Sequence, residues 1–324
     1  MIISCAGDVN LARRMHYMSK RLGLANMINV MEFARSDLRW INLECVVTTK
    51  GIQGIDKKEG GPYYFRARPE MIKLLLHNNI NIVSASNNHS GDYGPEGVLD
   101  QIQLLSKSCI HCIGVGKNNT AARRPFLLSK NETRIAFFSL DMTTAVFSAT
   151  NTDAGNFYVN PHNPHGDPNY HHLLAAVNRM SKDGWLCLVS IHWGKCNNVK
   201  APEAFQRETG RELIDSGARA IVGSSSHDYL GVETYKQCPI IYSLGDFLFD
   251  SRNQDHRSGG YINLAIRGEK IEELVFKPII LEYCRVHDQT KPESISLALE
   301  RWRSLSIELN SKVEIKPHEA VIKL

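Results

Sequence analysis

The amino-acid sequence predicts an α/β fold. Short apolar, β-branched runs, such as residues 80–83, alternate with segments of helical spacing, such as Val98, Ile102 and Leu105. Polar loops follow several of these runs, and in open α/β sheets the carboxyl ends of strands collect ligands and catalytic groups. The chain has 324 residues, of which 43% are hydrophobic and 22% charged, so one large domain or two small ones can bury a core.

The balance of charged residues indicates which classes of partner the protein is expected to bind. The formal net charge is +4, from 38 basic and 34 acidic residues, which is too mild to indicate nucleic-acid binding but is compatible with a small anionic substrate. No apolar run approaches the roughly 20 residues that span a bilayer. Residues 1–6 are too short for the apolar core of a signal peptide. We therefore expect no membrane partner and a cytoplasmic location, and the sequence does not indicate an oligomeric state.

The loop at residues 84–94 is the first candidate site. It follows the apolar run 80–83 and precedes a predicted helix at 95–106. Asn88 offers a neutral oxygen to a metal, and His89 could move a proton or meet an anionic oxygen. Asp92 adds a carboxylate to the same loop. The alternative is a polar turn, because Asn, Ser, Asp and Gly are ordinary turn formers.

Two earlier strands end in similar groups. Residues 2–6 form a predicted strand, and Asp8 and Asn10 follow it two residues apart, so both side chains can face one point. The alternative is that one of them caps a helix beginning near residue 11. A second predicted strand, residues 40–43, ends at Glu44, whose carboxylate must be paired, ligated or exposed. The polar, glycine-rich residues 48–64, hereafter the excursion, are predicted to form a long surface loop.

The second half of the chain repeats the pattern. The run 185–191 is the strongest buried strand and ends at His192, and the strand 220–223 leads to His227. A strand at 239–250 contains Asp246 at or near its end. Further predicted elements are helices at 71–78, 173–180, 202–216 and 294–305, and strands at 110–114, 134–139, 261–266, 271–275 and 279–286. We divide the chain into a domain at residues 1–290 and a helical extension at residues 291–324.

The strand ends together predict a metal centre. Their side chains are oxygen or imidazole ligands without a thiolate, namely Asp8, Asn10, Glu44, Asn88, His192 and His227. Such a mixed set suits divalent Mn, Fe or Zn. Two ions sharing one carboxylate would clamp the attacking and leaving oxygens of a phosphoryl displacement, so we expect one or two ions.

Several stretches make the sequence similar to a known family. They are Ala6-Gly-Asp-Val-Asn-Leu-Ala-Arg13, Asn42-Leu-Glu44, Phe65-Arg-Ala-Arg-Pro-Glu70, Ser86-Asn-Asn-His-Ser-Gly-Asp-Tyr-Gly94, Ile191-His-Trp-Gly194 and Ile241-Tyr-Ser-Leu-Gly-Asp-Phe-Leu-Phe-Asp250. In this set and order, the chain resembles the CapA (poly-γ-glutamate capsule-synthesis) family of calcineurin-like metallophosphoesterases. The resemblance implies a four-layered α/β/β/α sandwich with the metal centre at the strand ends. It carries ligand roles onto Asp8, Glu44, Asn88, His192 and His227, a further ligand position onto Asn10, and a catalytic-acid role onto His89.

Two departures from the family pattern concern the second ion. The family usually has Gly-x-His-Pro-His where this chain has Gly223-Ser-Ser-Ser-His227, so Ser225 replaces a histidine ligand. The family usually has Gly-Asn-Phe where this chain has Gly245-Asp246-Phe247. Asp246 could partly replace the missing imidazole, or it could be only a loop acid.

These observations lead to one main hypothesis of function. We expect a metal-dependent hydrolase of the phosphoesterase type that acts on a small anionic substrate, with His89 and Asp92 as catalytic residues. Arg13, Trp193 and Asp246 are predicted to contact substrate. Two alternatives remain open, namely a metal-dependent amide-bond enzyme acting on γ-glutamyl or similar substrates and a non-enzymatic partner in capsule assembly.

Overall fold

The computed structural model describes residues 1–54, 56–57, 61, 63–130, 132–195, 200–250 and 257–324. In chain order the strands are β1 Ile2–Val9, β2 Ile28–Asn29, β3 Leu38–Leu43, β4 Val46–Val47, β5 Arg66–Ala67, β6 Ile82–Ser84, β7 His111–Ile113, β8 Val115–Gly116, β9 Phe126–Lys130, β10 Thr133–Asp141, β11 Gly155–Asn156, β12 Leu186–His192, β13 Ala218–Ser224, β14 Val232–Tyr235, β15 Cys238–Ile241, β16 Asp246–Leu248, β17 Arg257–Arg267, β18 Lys270–Glu282, β19 Arg285–Asp288, β20 Glu314–Lys316 and β21 Glu319–Lys323. The α-helices are α1 Arg14–Leu22, α2 Ile72–His77, α3 Gly94–Lys107, α4 Asn119–Ala122, α5 Pro168–Lys182, α6 Ala204–Asp215 and α7 Pro292–Ile307.

The first sheet has 11 strands and is built around β1. Seven of the eight residues of β1 are buried, as expected for a strand covered on both faces. β1 pairs in parallel with β3 and antiparallel with β17, and the main order is β2-β19-β18-β17-β1-β3-β6-β7. The two strands predicted at 271–275 and 279–286 are instead one long strand, β18, followed by a turn and β19.

The second sheet has six strands in the order β14-β15-β13-β12-β10-β9. Its central strands β10, β12 and β13 are parallel and end in register, because Asp141 is the Cα partner of His192 and His192 is the partner of Ser224. All seven residues of β12 are buried. The carboxyl ends of these strands therefore form an even edge.

Four layers follow from how these sheets pack. Between the sheets, Ile3 and Trp40 of the first contact the core residues of the second, and the Trp40 ring meets Phe137 edge-on at 5.2 Å. Helices α1 and α2 contribute Met15 and Leu74 to the core on the outer face of the first sheet, while α5 and α6 contribute to the outer core of the second. This is the predicted α/β/β/α sandwich, and the fold class is confirmed.

The segment predicted as one strand at 239–250 changes sheets. β15 pairs in parallel with β13 in the second sheet, whereas β16 pairs in parallel with β1 in the first. The chain crosses at Gly245, which has φ +67° and packs so tightly on the backbone of Asp228 that a Cβ would clash. This crossing brings Asp246 into register with Asp8.

The C-terminal extension is helical only as far as Ile307. Trp302 of α7 stacks on Phe276 of the first sheet with ring centroids 4.7 Å apart, and β21 then pairs with β18. The extension therefore adds β20 and β21 to the first sheet, and α7 packs into the core between the two sheets. Among the described residues, no helix combines the length and apolarity needed to cross a membrane.

Candidate metal centre

The two sheets bring their carboxyl ends together over one group of buried polar side chains. Asp8 lies near the end of β1, Glu44 directly follows β3, and the 85–93 loop follows β6. His192 ends β12, and His227 follows β13. Of these named side chains, Asp8, Glu44 and His192 are at most 2% exposed.

Asp8 is common to two potential ion sites. Single ligand atoms of Asp8, Glu44 and His192 lie within 4.8 Å of one another, and so do those of Asp8, His227 and Asp246. Asn42 Nδ2 donates to Asp8 Oδ1 at 2.8 Å. The two sites therefore overlap at one carboxylate, which is the arrangement that a pair of bridged ions requires.

The charges of this group indicate that it fits a cation. Burial raises the pKa of Asp8 to about 6, and Asp246 adds to this effect against the opposing influence of His227. Burial and the neighbouring Asp8 also raise the pKa of Glu44 well above its usual value. Glu44 Oε2 is buried and has no hydrogen-bond partner among the described residues. Buried carboxylates that lack enough donors are stabilised by a positive charge, so the donor set fits a divalent ion.

The surroundings of His192 favour the neutral form of its imidazole, which is the form that can bind a metal ion. Burial, followed by the charges of His227, His89 and Lys57, lowers its pKa well below the ordinary value. His192 Nδ1 lies 2.9 Å from Ser224 Oγ, and Nε2 lies 3.0 Å from Asn88 Oδ1. The structure thus brings His192 and Asn88 together, with the two predicted ligand atoms in contact.

His89 and Asp92 form a hydrogen-bonded pair in the predicted acid loop. His89 Nδ1 lies 2.7 Å from Asp92 Oδ2, and its ring stacks on Phe65 with centroids 3.9 Å apart. The other ring nitrogen, Nε2, lies 3.9 Å from Glu44 Oε1. Asp92 and Phe65 therefore fix an imidazole whose second nitrogen faces the ion site.

His227 is held between carboxylates. Its Nδ1 lies 2.8 Å from Asp246 Oδ1 and 3.7 Å from Asp8 Oδ2, and its Nε2 lies 3.9 Å from Glu44 Oε1. Burial opposes the charged form, but Asp246 and Glu44 outweigh it and raise the pKa of His227 well above its ordinary value. A divalent ion bound here would take the place of that proton.

Asn10 forms a hydrogen bond within its own loop. Its amide oxygen accepts the N–H of Ala12 at 2.8 Å, a local turn of the kind that asparagine favours. Its amide nitrogen is buried without a hydrogen-bond partner among the described residues. The further ligand position predicted at Asn10 stays a prediction, since its oxygen already has this acceptor role.

The three predicted substrate contacts lie in different surroundings. The Arg13 side chain is 30% exposed, and its Nε donates to Asp250 Oδ2 at 2.7 Å. Trp193 is 1% exposed and its indole N–H donates to the carbonyl of Tyr242, so the ring packs in the core, and its contact with substrate stays a prediction. The Asp246 carboxylate contacts His227 and so lies in the candidate ion group, and its contact with substrate also stays a prediction.

Three other side chains complete the site although they were not assigned from the sequence. Asn42 contacts both Asp8 and His192, and Ser224 contacts His192. Asn42 lies two residues before Glu44, so strand periodicity already put both on one side and was the available signal. Lys57 of the excursion lies against His89 and Asp92, and the polar composition around it contained no signal for this position.

Comparison with known proteins identifies the family. The family model described as "Bacterial capsule synthesis protein PGA_cap" matches residues 2–251. The chain belongs to this family. The match confirms the sequence resemblance and covers every residue of the candidate metal centre.

Curated relatives of the PGA_cap chain come from several bacteria. The capsule biosynthesis protein CapA of Bacillus anthracis is 26% identical over 329 residues, covering 96% of this chain and 78% of that protein. The PGA biosynthesis protein CapA of Bacillus subtilis is 26% identical, covering 76% of this chain and 63% of that protein. A probable polyglutamine synthesis accessory protein of Mycobacterium tuberculosis is 28% identical, covering 68% and 58%. The chain thus spans less than two thirds of the last two relatives.

Solved structures share the fold at low identity. A hypothetical protein from Thermus thermophilus has a TM-score of 0.52 and 15% identity, covering 87% of this chain and 100% of that one. A novel phosphatase from Mycoplasma pneumoniae has a TM-score of 0.50 and 12% identity, covering 86% and 93%. Both support the sandwich architecture of this PGA_cap protein.

Proposed function

We propose that this PGA_cap protein is a divalent-metal-dependent hydrolase of the phosphoesterase type that acts on a small anionic substrate. The observation that supports it best is the pair of overlapping ligand groups that share Asp8, with His89 Nε2 3.9 Å from Glu44. When bound, divalent ions supply Lewis acidity that polarises a phosphoryl oxygen and makes water more acidic. Glu44, His192 and Asn88 would hold one ion, and His227 and Asp246 the other.

In the proposed reaction, proton transfer and its orientation are the roles of protein side chains. His89 would deliver a proton from Nε2 to the leaving oxygen, while its Nδ1–H donates to Asp92 and keeps the ring in one orientation. The stacking of Phe65 on the same ring further restricts its rotation.

Arg13 is proposed to bind an anionic oxygen of the substrate. Its guanidinium lies over the Phe65 ring at 5.1 Å from the centroid, and that ring also stacks on His89. Asp250 accepts from Nε, and within the described parts of the chain the guanidinium makes no other hydrogen bond, so it retains donors for a phosphate. The φ of +56° at Arg13 is unusual for a side-chain-bearing residue, and strained backbone positions of this kind cluster at functional sites, which supports the proposal.

A second candidate is an amide-bond enzyme acting on γ-glutamyl or similar substrates. The observation that favours it is the capsule and PGA biosynthesis naming of the Bacillus relatives. The same ions could polarise an amide carbonyl in place of a phosphoryl oxygen. A non-enzymatic role in capsule assembly is less well supported, because a decayed site would not need to keep several buried carboxylates together.

The test compares the two chemistries on one preparation. Protein loaded with Mn²⁺ is assayed with p-nitrophenyl phosphate, bis-p-nitrophenyl phosphate and γ-glutamyl p-nitroanilide, and its metal content is measured by elemental analysis. We expect phosphoester hydrolysis that chelation abolishes, and a higher KM for Arg13→Met with little change in kcat. Hydrolysis of the γ-glutamyl amide alone would support the second candidate, and a metal-free, inactive protein would exclude both.

A further inference from the structure

Lys57, which lies in the excursion, contacts residues of the candidate site. The Lys57 side chain is 2% exposed, although the sequence predicts a surface loop there. Its Nζ lies 2.9 Å from Asp92 Oδ1, 3.0 Å from the carbonyl oxygen of Asn88 and 2.9 Å from His89 Nδ1. A buried ammonium group is unfavourable unless it is paired and hydrogen-bonded, so these contacts explain why it can stay in the interior.

Residues before and after Lys57 in the sequence are hydrogen-bonded to the same residue, Asp92. Before it, the N–H of Gly54 donates to the main-chain oxygen of Asp92 at 2.7 Å. After it, the N–H of Phe65 donates to Asp92 Oδ2 at 2.6 Å. Lys57 adds the third contact, on Oδ1. Asp92 therefore contacts Gly54 and Lys57 of the excursion and Phe65 directly after it, and Asp92 in turn orients His89.

The contacts also determine what each group on the His89 ring does. An ammonium group can donate but cannot accept, so Lys57 Nζ donates to the Asn88 carbonyl, while it forms an ion pair with Asp92, with Nζ 2.9 Å from Oδ1. Asp92 Oδ2 then accepts from His89 Nδ1–H, which leaves Nε2 directed at Glu44. The Asn88 carbonyl belongs to the peptide group that joins Asn88 to His89. Lys57 thus restrains both the predicted ligand and the predicted proton donor.

We infer that Lys57 is a positioning residue that holds the Asn88–His89 peptide and the Asp92 carboxylate so that the His89 ring faces the ion site. This inference rests on the proposed function for its kinetic readout. It makes the excursion a part of the catalytic apparatus, because the excursion supplies the ammonium group that reaches Asp92. Lys57 acts through His89 and is not proposed to touch substrate.

The test uses two lysines of the same excursion. Lys57→Ala should lower kcat about 10- to 100-fold while KM changes less than about threefold, the scale expected when a supporting hydrogen-bond partner is lost. The matched control is Lys50→Ala. Lys50 pairs with Asp100 at 3.2 Å and its side chain is 52% exposed, so wild-type kinetics are expected. Wild-type kcat in Lys57→Ala would overturn the inference and leave the proposed function intact.

Two further measurements separate positioning from simple loss of stability. Propylammonium replaces the removed atoms, so it should restore part of the kcat of Lys57→Ala, whereas propan-1-ol should not; equal effects of both would overturn the inference. Lys57→Met keeps the apolar stem and is used in place of Lys57→Ala if that variant does not fold.

If the wild-type protein hydrolyses no substrate, the proposed function fails, and hydrogen–deuterium exchange then tests the positioning role of Lys57. Exchange at residues 86–92 should then rise in the Lys57 variants but not in Lys50→Ala, and unchanged exchange in both would overturn it.

Discussion

His227 Nδ1 lies 2.8 Å from Asp246 Oδ1, and this contact joins a loop that leaves the second sheet to a strand that enters the first. Ser225, which replaces a histidine of the family pattern, turns its hydroxyl towards the carbonyl of Gly194 at 3.4 Å. Its N–H donates to Asp8 Oδ2 at 3.2 Å. Ser225 and Asp246 therefore both lie beside the Asp8 carboxylate, and this side of the site lacks the additional imidazole of the family pattern.

The first prediction concerns the affinity of the ion that His227 and Asp246 would hold. Titration with Mn²⁺ should show one tight and one weak step, because a hydroxyl binds divalent ions far less well than an imidazole. Asp246→Asn should loosen the weak step and Ser225→His should tighten it, as measured by calorimetry. Asp228→Asn is the control, since Asp228 pairs with Arg301 at the surface. Two equally tight steps that neither substitution moves would contradict the prediction.

The second prediction concerns the shared ligand groups. Asp8→Ala and Glu44→Ala should each reduce the bound metal without unfolding the protein, because both side chains point into the site rather than into a core. Elemental analysis gives the metal content, and circular dichroism reports the fold. The assignment of the centre is wrong if either variant keeps the full metal content of the wild-type protein. Asp153→Asn, at an exposed loop position, is the control.

The third prediction separates metal binding from turnover. His89→Asn should keep the wild-type metal content and lower kcat by about 10²-fold or more, the usual scale for loss of an acid–base group. Steady-state kinetics on p-nitrophenyl phosphate and elemental analysis of the same sample measure the two effects. Turnover near that of the wild-type protein would make His89 a structural residue.

The fourth prediction is a pH dependence of stability at Asp141. Burial raises the pKa of this carboxyl from 3.8 to about 7, against opposing hydrogen bonds from Thr143 and Asn156. At pH values between these two pKa values, the Asp141 carboxyl holds a proton in the folded protein but has lost it in the unfolded chain. The contribution of Asp141 to the free energy of unfolding therefore falls as pH rises. The difference corresponds to roughly 4 kcal/mol between about pH 4 and pH 7.

Asp141→Asn tests this, because an amide does not titrate. The free energy of unfolding of the metal-free wild-type protein, minus that of the variant, should decrease steadily over that pH range in urea denaturation. A difference that stays constant with pH would show that the carboxyl is charged throughout. Asp167→Asn is the control, since Asp167 caps α5 at the surface through the N–H of Asn169.

The sequence was most informative where local pattern and chemistry agree. Apolar runs predicted β1, β3, β6, β12 and β13 to within a few residues, because strands covered on both faces need continuous apolar sequence. Since parallel strands end at one edge, the polar residues that follow them were expected to meet. The structure does bring Asp8, Glu44 and His192 together.

The sequence was least informative where tertiary packing overrides local pattern. The crossing at Gly245 splits one apolar run between two sheets, and no periodicity distinguishes that from a single strand. Trp193 follows the predicted ligand His192 in sequence, yet its ring turns into the core because the two positions face opposite sides of the backbone. Lys57 lies in a stretch without periodicity, so only the fold reveals its contact with Asp92.

The order in which the chain is synthesised has a consequence for the metal centre. Asp8 is made 217 residues before Ser225, which donates to its carboxylate, and β1 needs β17 as its antiparallel neighbour. A growing polypeptide therefore emerges with its shared carboxylate long before the imidazole of His227 or the carboxylate of Asp246 exists. On the proposed assignment, the group Asp8, Glu44 and His192 is complete only once His192 has been made, and the group Asp8, His227 and Asp246 only once Asp246 has been added. Metal would therefore be bound late in synthesis, from the ions present where the chain folds.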